Sequence, residues 1–88
     1  MEIENGQIVK AMLNNSTIQD ADLSKLKGLS KLEHLELGNT ALTDAALPHF
    51  KEFPALQYLD ISGTKMSEPA VAQFRQGNPQ LSVSGPGI

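Results

Sequence analysis

Apolar residues recur along this 88-residue chain with a period of 24 positions. Aligning the segments 7–30, 31–54 and 55–78 stacks seven columns, in which 20 of the 21 positions are apolar. At an apolar content of 40%, chance would fill about eight of them. The columns begin at Ile8, Ala11, Leu13, Ile18, Leu23, Leu26 and Leu29. The chain is therefore predicted to consist of three repeats of one structural unit.

Within the second and third repeats, apolar and polar residues alternate over a short stretch. Leu35-Glu36-Leu37 and Leu59-Asp60-Ile61 show this alternation most clearly. A period of two is typical of a strand with one buried face. The pattern predicts one short strand per repeat, with polar side chains facing solvent. Successive strands are predicted to pair in parallel, about 4.8 Å apart.

Each predicted strand is followed by residues that favour a bend and then by a signal that starts a helix. Asn14-Asn15, Gly38-Asn39 and Ser62-Gly63 tolerate positive φ, as a sharp turn requires. Thr43 and Ser67 are good N-cap residues for short helices. Pro48 falls near the fifth helical position and lacks a backbone donor, so the second helical segment is expected to be irregular or 3₁₀.

The segments Leu32-x-x-Leu35-x-Leu37-x-x-Thr40-x-Leu42 and Leu56-x-x-Leu59-x-Ile61-x-x-Thr64-x-Met66 resemble leucine-rich repeats. Leu42-Thr43-Asp44-Ala45-Ala46-Leu47 is similar to a bacterial 24-residue subgroup with Thr-Asp before a convex helix. Ser16, Thr40 and Thr64 replace the usual asparagine, and we expect their hydroxyls to satisfy turn backbone groups. The resemblance implies an α/β solenoid with parallel strands on its concave face and short helices on its convex face.

Both ends of the repeats carry signals of capping segments. At the front, Asn5-Gly6 predicts a hairpin, so residues 1–9 are expected to fold back on the first repeat. At the back, we expect one additional residue within 76–79, after which Leu81 and Val83 alternate until Gly85-Pro86-Gly87 ends regular structure. Residues 79–88 are expected to form a cap and tail. We therefore expect residues 1–88 to form a single, complete leucine-rich-repeat domain that belongs to a larger bacterial protein.

Composition and charge exclude several classes of function. The net charge of −3 and the scattered basic residues argue against a nucleic-acid partner. No segment approaches the roughly 18 apolar residues that membrane insertion requires. Without cysteine, there is no disulfide, thiolate zinc site or cysteine nucleophile. The first residues do not resemble a signal peptide. Localisation stays open, and an extracytoplasmic location is an alternative if a signal peptide has been removed.

His34, Glu36 and Asp60 are the main candidates for chemistry. An imidazole and two carboxylates on neighbouring strands could bind a metal or act as acid and base. We favour a solvated polar face instead, because no spacing here identifies three or four converging zinc ligands. The sequence contains neither the G-x-S-x-G motif nor a phosphate-binding loop. We expect no catalytic residues, no metal and no cofactor.

The outward side of the strands is the predicted binding site, because repeat solenoids use such surfaces for recognition. We name it the strand face and define it as Lys10, Met12, Glu33, His34, Glu36, Gln57, Tyr58 and Asp60. Tyr58 is the best anchor, and a basic partner group would relieve repulsion between Glu36 and Asp60. Three strands would make this face about 15 Å wide. We predict a non-enzymatic module that binds a protein or peptide. The alternative is a spacer or accessory domain without its own ligand.

Overall fold

Alternating apolar residues place one short strand in each repeat, and the strands lie side by side in one sheet. The computed structural model describes residues 2–4, 6–26 and 28–85. The strands within these residues are β1 (Glu2–Glu4), β2 (Gln7–Met12), β3 (His34–Glu36), β4 (Tyr58–Asp60) and β5 (Ser82–Ser84). The connecting helices are two 3₁₀ helices, Asp20–Leu26 and Asp44–Glu52, and an α-helix, α1 (Glu68–Gly77).

Neighbouring parallel strands pair at an offset of 24 residues. Leu35 pairs with Ala11 on one side and with Leu59 on the other, and Leu59 pairs with Val83. The strand order is β1-β2-β3-β4-β5, with β1 antiparallel to β2 and the remaining strands parallel. The predicted α/β solenoid with parallel strands and short helices is confirmed.

Two expectations about the C-terminal part are wrong. The pairing of Leu59 with Val83 keeps the offset of 24, so residues 76–79 contain no additional residue. The sheet also gains a fourth parallel strand, β5, because Leu81 and Val83 continue the alternation and pack against the core. The polar side of the sheet is consequently wider than three strands. Asn5 of the predicted hairpin and residues 86–88 of the tail lie outside the described residues.

The turns after β3 and β4 have the predicted chemistry. Asn39 and Gly63 have φ values of 56° and 74°, in the left-handed region that asparagine and glycine tolerate best. The Thr40 hydroxyl donates a hydrogen bond of 2.8 Å to the carbonyl of Leu37, and Thr64 bonds the carbonyl three residues before it in the same way. These hydroxyls satisfy backbone groups of the turn, as expected.

The helical segments begin at the predicted caps. The Thr43 hydroxyl accepts from a backbone N–H of the second 3₁₀ helix at 3.3 Å, and the Ser67 hydroxyl accepts from one of α1 at 3.4 Å. Pro48 lies inside the second 3₁₀ helix, so the expected departure from an α-helix is confirmed. Pro69 occupies the first turn of α1, where its missing donor costs nothing.

Two aspartates connect consecutive repeats on the helix side. The Asp20 carboxylate accepts from the backbone N–H of Thr43 at 2.9 Å and from its hydroxyl at 2.6 Å. The Asp44 carboxylate accepts from the same two groups of Ser67 at 2.7 and 2.8 Å. We call these two contacts the repeat joints. Each joint fixes the start of one helical segment to the preceding repeat.

The core lies between the sheet and the helical segments and runs through all three repeats. Its buried residues belong to one cluster and include Ala11, Leu23, Leu35, Leu37, Leu47, Phe50, Phe53, Leu59, Ile61, Val71 and Phe74. The rings of Phe50 and Phe74 meet edge to face, with centroids 5.9 Å apart. The repeats therefore share one core, and the opposite side of the sheet faces solvent.

Candidate functional site

The outward positions of the parallel strands form two rows that cross the sheet. One row contains Lys10, His34, Tyr58 and Ser82, and the other contains Met12, Glu36, Asp60 and Ser84. Six of the eight predicted strand-face residues therefore lie together on β2, β3 and β4. Glu33 and Gln57 are exposed and precede β3 and β4 by one residue, so they lie where these strands begin.

Glu36 lies near the centre of the strand face, and both of its carboxylate oxygens have partners. Oε2 is 2.7 Å from Nε2 of His34, and Oε1 accepts from the side-chain amide of Asn14 at 2.7 Å. The hydrogen bond with His34, followed by that with Asn14, holds the pKa of Glu36 below its ordinary value, although burial opposes this shift. The positive charge of Lys10 also lowers the pKa of Glu36. Glu36 is therefore ionised at neutral pH.

Tyr58 is held from two sides. Its ring stacks on the imidazole of His34, with centroids 4.4 Å apart and an interplanar angle of 27°. Its hydroxyl is 3.2 Å from the hydroxyl of Ser84 on β5. A continuous chain of contacts thus crosses the sheet, and we call it the strand-face network. Its members are Asn14, Glu36, His34, Tyr58 and Ser84. This network holds its members in position without a partner.

The remaining strand-face residues differ in how freely they can meet a partner. Among the described residues, Met12 is the large hydrophobic side chain left exposed, at 51%. Asp60 Oδ1 accepts from the backbone N–H of Ser62 at 2.9 Å, which stabilises the turn after β4. Lys10 lies in the row of His34 and Tyr58. The face thus combines an exposed thioether, a stacked aromatic pair and charges of both signs.

Two residues of this arrangement were not predicted from the sequence. Asn14 was predicted only as a turn residue, whereas its side-chain oxygen also accepts from the backbone N–H of Gly38 at 2.7 Å. A Cβ at Gly38 would lie 2.9 Å from that oxygen, so glycine permits the contact. Ser84 was missed because the alternating segment of Leu81 and Val83 was assigned to the cap and only three strands were predicted for the face. The 24-residue offset from Asp60 was the signal that could have identified it.

His34, Glu36 and Asp60 are not arranged as a metal site. Over residues 2–4, 6–26 and 28–85, no three His, Cys, Asp or Glu side chains are placed to hold an ion. Both oxygens of Glu36 are already hydrogen-bonded, and one oxygen of Asp60 binds its own turn. These contacts agree better with a solvated polar surface than with metal coordination.

A separate groove of about 360 Å³ lies on the helix side, between the second 3₁₀ helix and α1. Leu47 and Phe74 contribute apolar surface, and Pro48, Lys51 and Gln73 also line it. The groove contains none of the strand-face residues. Its concave shape and apolar surface make it a second candidate binding location. Substitutions in the groove can therefore serve as controls for substitutions on the strand face.

Comparison with known proteins identifies the repeat. A family model described as leucine rich repeat matches residues 10–66, which is more than half of the chain. Among curated proteins, none matches the chain. Within the described part of the chain, no helix combines the length and the apolar character that crossing a bilayer requires.

Proposed function

The chain belongs to the leucine-rich-repeat family, and from this premise we propose that it is a non-enzymatic module that binds a protein or peptide through the strand face. Domains of this family generally mediate protein–protein interactions and are typically not enzymes. One observation carries the proposal. Exposed Met12 lies on the same surface as the stacked pair of His34 and Tyr58.

The strand-face network favours binding because it orders its side chains in advance. A side chain that is immobilised on binding costs about 0.5–1.5 kcal/mol of conformational entropy. Tyr58 already contacts His34 and Ser84, and Glu36 already has partners on both oxygens. A partner therefore meets a surface whose central side chains have already lost much of this freedom.

Met12 and Tyr58 supply the contact types that interfaces favour. Methionine and aromatic residues are enriched at interfaces, and aromatic anchors often dominate the binding energy. The flexible thioether of Met12 can adapt to the shape of a partner. Since Met12 is half exposed in the free chain, its apolar surface is available for burial.

The charges indicate the character of the partner. Glu33, Glu36 and Asp60 outnumber Lys10 on the strand face. His34 and Asn14 already bind Glu36, so Asp60 and Glu33 are the carboxylates that would meet a partner's charge. We therefore expect a segment that combines apolar side chains with a basic residue near Asp60.

The test removes the apolar contacts of the strand face without changing its charge. We expect Met12→Ala/Tyr58→Ala to weaken binding at least tenfold, because loss of a hot spot costs about 2 kcal/mol or more. Wild-type chain on a resin would retain partners from a lysate, and mass spectrometry would identify them. Each purified partner would then be titrated calorimetrically against both proteins.

The matched control is Lys51→Ala/Gln73→Ala, which truncates two exposed side chains that line the helix-side groove. This variant should bind with wild-type affinity, and circular dichroism should show that both variants are folded. If Met12→Ala/Tyr58→Ala binds every partner as tightly as wild type does, the strand-face proposal is wrong. A loss confined to the control would assign binding to the groove.

A second candidate function is a spacer or accessory domain of a larger bacterial protein, with no ligand of its own. The specific observation in its favour is that Glu36, His34 and Tyr58 find partners within the chain. Such internal contacts also agree with a surface that is polar and rigid but binds no partner. Under this alternative, no protein retained by the wild-type resin would depend on Met12 or Tyr58.

A further inference from the structure

In the part of the chain that the structure describes, β5 is the last strand of the sheet and pairs along one edge only, with β4. The N–H of Ser82 donates to the carbonyl of Gln57 at 3.0 Å, and the carbonyl of Ser84 accepts from Ile61 at 2.8 Å. Backbone groups alternate in direction along a strand. The backbone groups of Val83 and its neighbours at odd positions therefore face away from β4, towards the open edge.

Arg75 covers this open edge. It lies in the last turn of α1, and its Nη2 donates to the carbonyl of Val83 at 3.0 Å and to that of Gly85 at 2.8 Å. Gly85 is itself closely packed, since a Cβ there would lie 2.6 Å from the backbone nitrogen of Ser62. The guanidinium thus occupies two acceptors at the position where another strand would pair.

Comparing Arg75 with the equivalent residue of the preceding repeat shows why this contact forms at the edge strand. Lys51 occupies the position of Arg75 one repeat earlier and is exposed. The corresponding edge of β4 is already covered by β5. A basic residue thus recurs at this place in the repeat, and of the two described residues, Lys51 and Arg75, it is Arg75 that has an open strand beside it. Arginine also suits the role, because one guanidinium can donate to several carbonyls.

Without Arg75, this edge has the properties of a pairing surface. Exposed strand edges pair with other chains unless charge or a covering group prevents it. The segment 81–85 contains no charged side chain, so two copies could align without repulsion along the strand. A two-fold axis would place two β5 strands antiparallel. With arginine present, two guanidinium groups would meet at this junction and repel each other.

We propose that the β5 edge is a latent interface for a second copy of this chain, and that Arg75 keeps it closed. Arg75 acts in two ways. It occupies the carbonyls of Val83 and Gly85, and it places a positive charge where the second copy would dock. This proposal is independent of the strand face, which lies on one side of the sheet and not at its edge.

The test compares oligomeric states by sedimentation velocity and light scattering. Wild type is expected to be a monomer of 9.5 kDa, whereas Arg75→Ala is expected to double in mass as its concentration rises. Lys51→Ala is the matched control and should stay monomeric. In the Arg75→Ala dimer, hydrogen exchange should slow in the peptide that contains residues 81–85, because outward amides become paired.

A second substitution tests whether pairing uses this edge. In Arg75→Ala/Val83→Pro, proline removes an outward N–H while the bonds from β5 to β4 remain, so the double variant should return to a monomer. The proposal is overturned if wild type already pairs through this edge or if Arg75→Ala stays monomeric. It is also overturned if Arg75→Ala associates without protecting residues 81–85, a readout that does not require the proline variant to fold.

Discussion

Glu36 and Asp60 lie opposite each other on β3 and β4, where two carboxylates repel. From the sequence, we expected a basic group of the partner to relieve this repulsion. The structure places His34 and Asn14 on Glu36, so its carboxylate also has partners within the chain. At the scale of the residue, Glu36 therefore contributes to the stability of the fold and also belongs to the strand face.

This assignment predicts a pH dependence. The pKa of Glu36 is lower in the folded chain than in the unfolded chain. Its carboxylate therefore stabilises the fold above the unfolded pKa of about 4.3, and this contribution is lost as the pH falls through the folded value. We expect Glu36→Gln to reduce the free energy of unfolding by about 0.5–1 kcal/mol near pH 7. Urea unfolding should show the difference shrinking in acid.

The control for this prediction is Glu33→Gln, which neutralises an exposed carboxylate just before β3. It should leave the free energy of unfolding nearly unchanged at both pH values. A difference between wild type and Glu36→Gln that stays constant from pH 7 to pH 3 would contradict the assigned role of the carboxylate.

At the scale of the element, the sequence was sufficient to predict those strands and helices whose structure is determined by residues close together in the chain. Alternation identified β3 and β4, hydroxyl caps located the helix starts, and Pro48 indicated the 3₁₀ helix. The alternation of Leu81 and Val83 was assigned to a cap and not to strand β5, because its serines have little strand propensity and the strand depends on pairing with β4. Asn14 and Glu36 are 22 residues apart, so comparing positions 24 residues apart did not reveal their contact.

Strand β5 depends on a glycine that follows it. Gly85 has a φ of 105°, and a Cβ there would lie within 3 Å of the Ile61–Ser62 backbone. We expect Gly85→Ala to lower the free energy of unfolding by about 1–3 kcal/mol. Gly77→Ala is the control, because a Cβ at Gly77 meets no atom within 4 Å and alanine favours the helix. Equal losses in urea unfolding would show that the close approach at Gly85 is unimportant.

At the scale of the whole molecule, the repeats pack around one core. The radius of gyration is 12.0 Å, and a globular chain of this length is expected to have about 12 Å. Three repeats are therefore too few for the elongated shape of a long solenoid. The single core cluster extends from Ala11 in the first repeat to Phe74 in the third. We infer that the repeats fold and unfold together.

Cooperativity can be tested with a substitution far from the probe. Leu23 is fully buried in the first repeat, and Tyr58 in the third repeat is the single tyrosine of a chain without tryptophan. We expect Leu23→Ala to cost about 2–4 kcal/mol. Its denaturation midpoint should shift equally by tyrosine fluorescence and by far-UV circular dichroism. An unchanged fluorescence midpoint would mean that the repeats unfold separately.

The two repeat joints have the same chemistry and the same spacing of 23 residues, from Asp20 to Thr43 and from Asp44 to Ser67. A second copy of residues 31–54 inserted after residue 54 would place its own threonine against Asp44, which repeats the first joint. The strand offset would also be preserved. Gene duplication could therefore lengthen this protein by one unit without requiring a compensating substitution at the new junction.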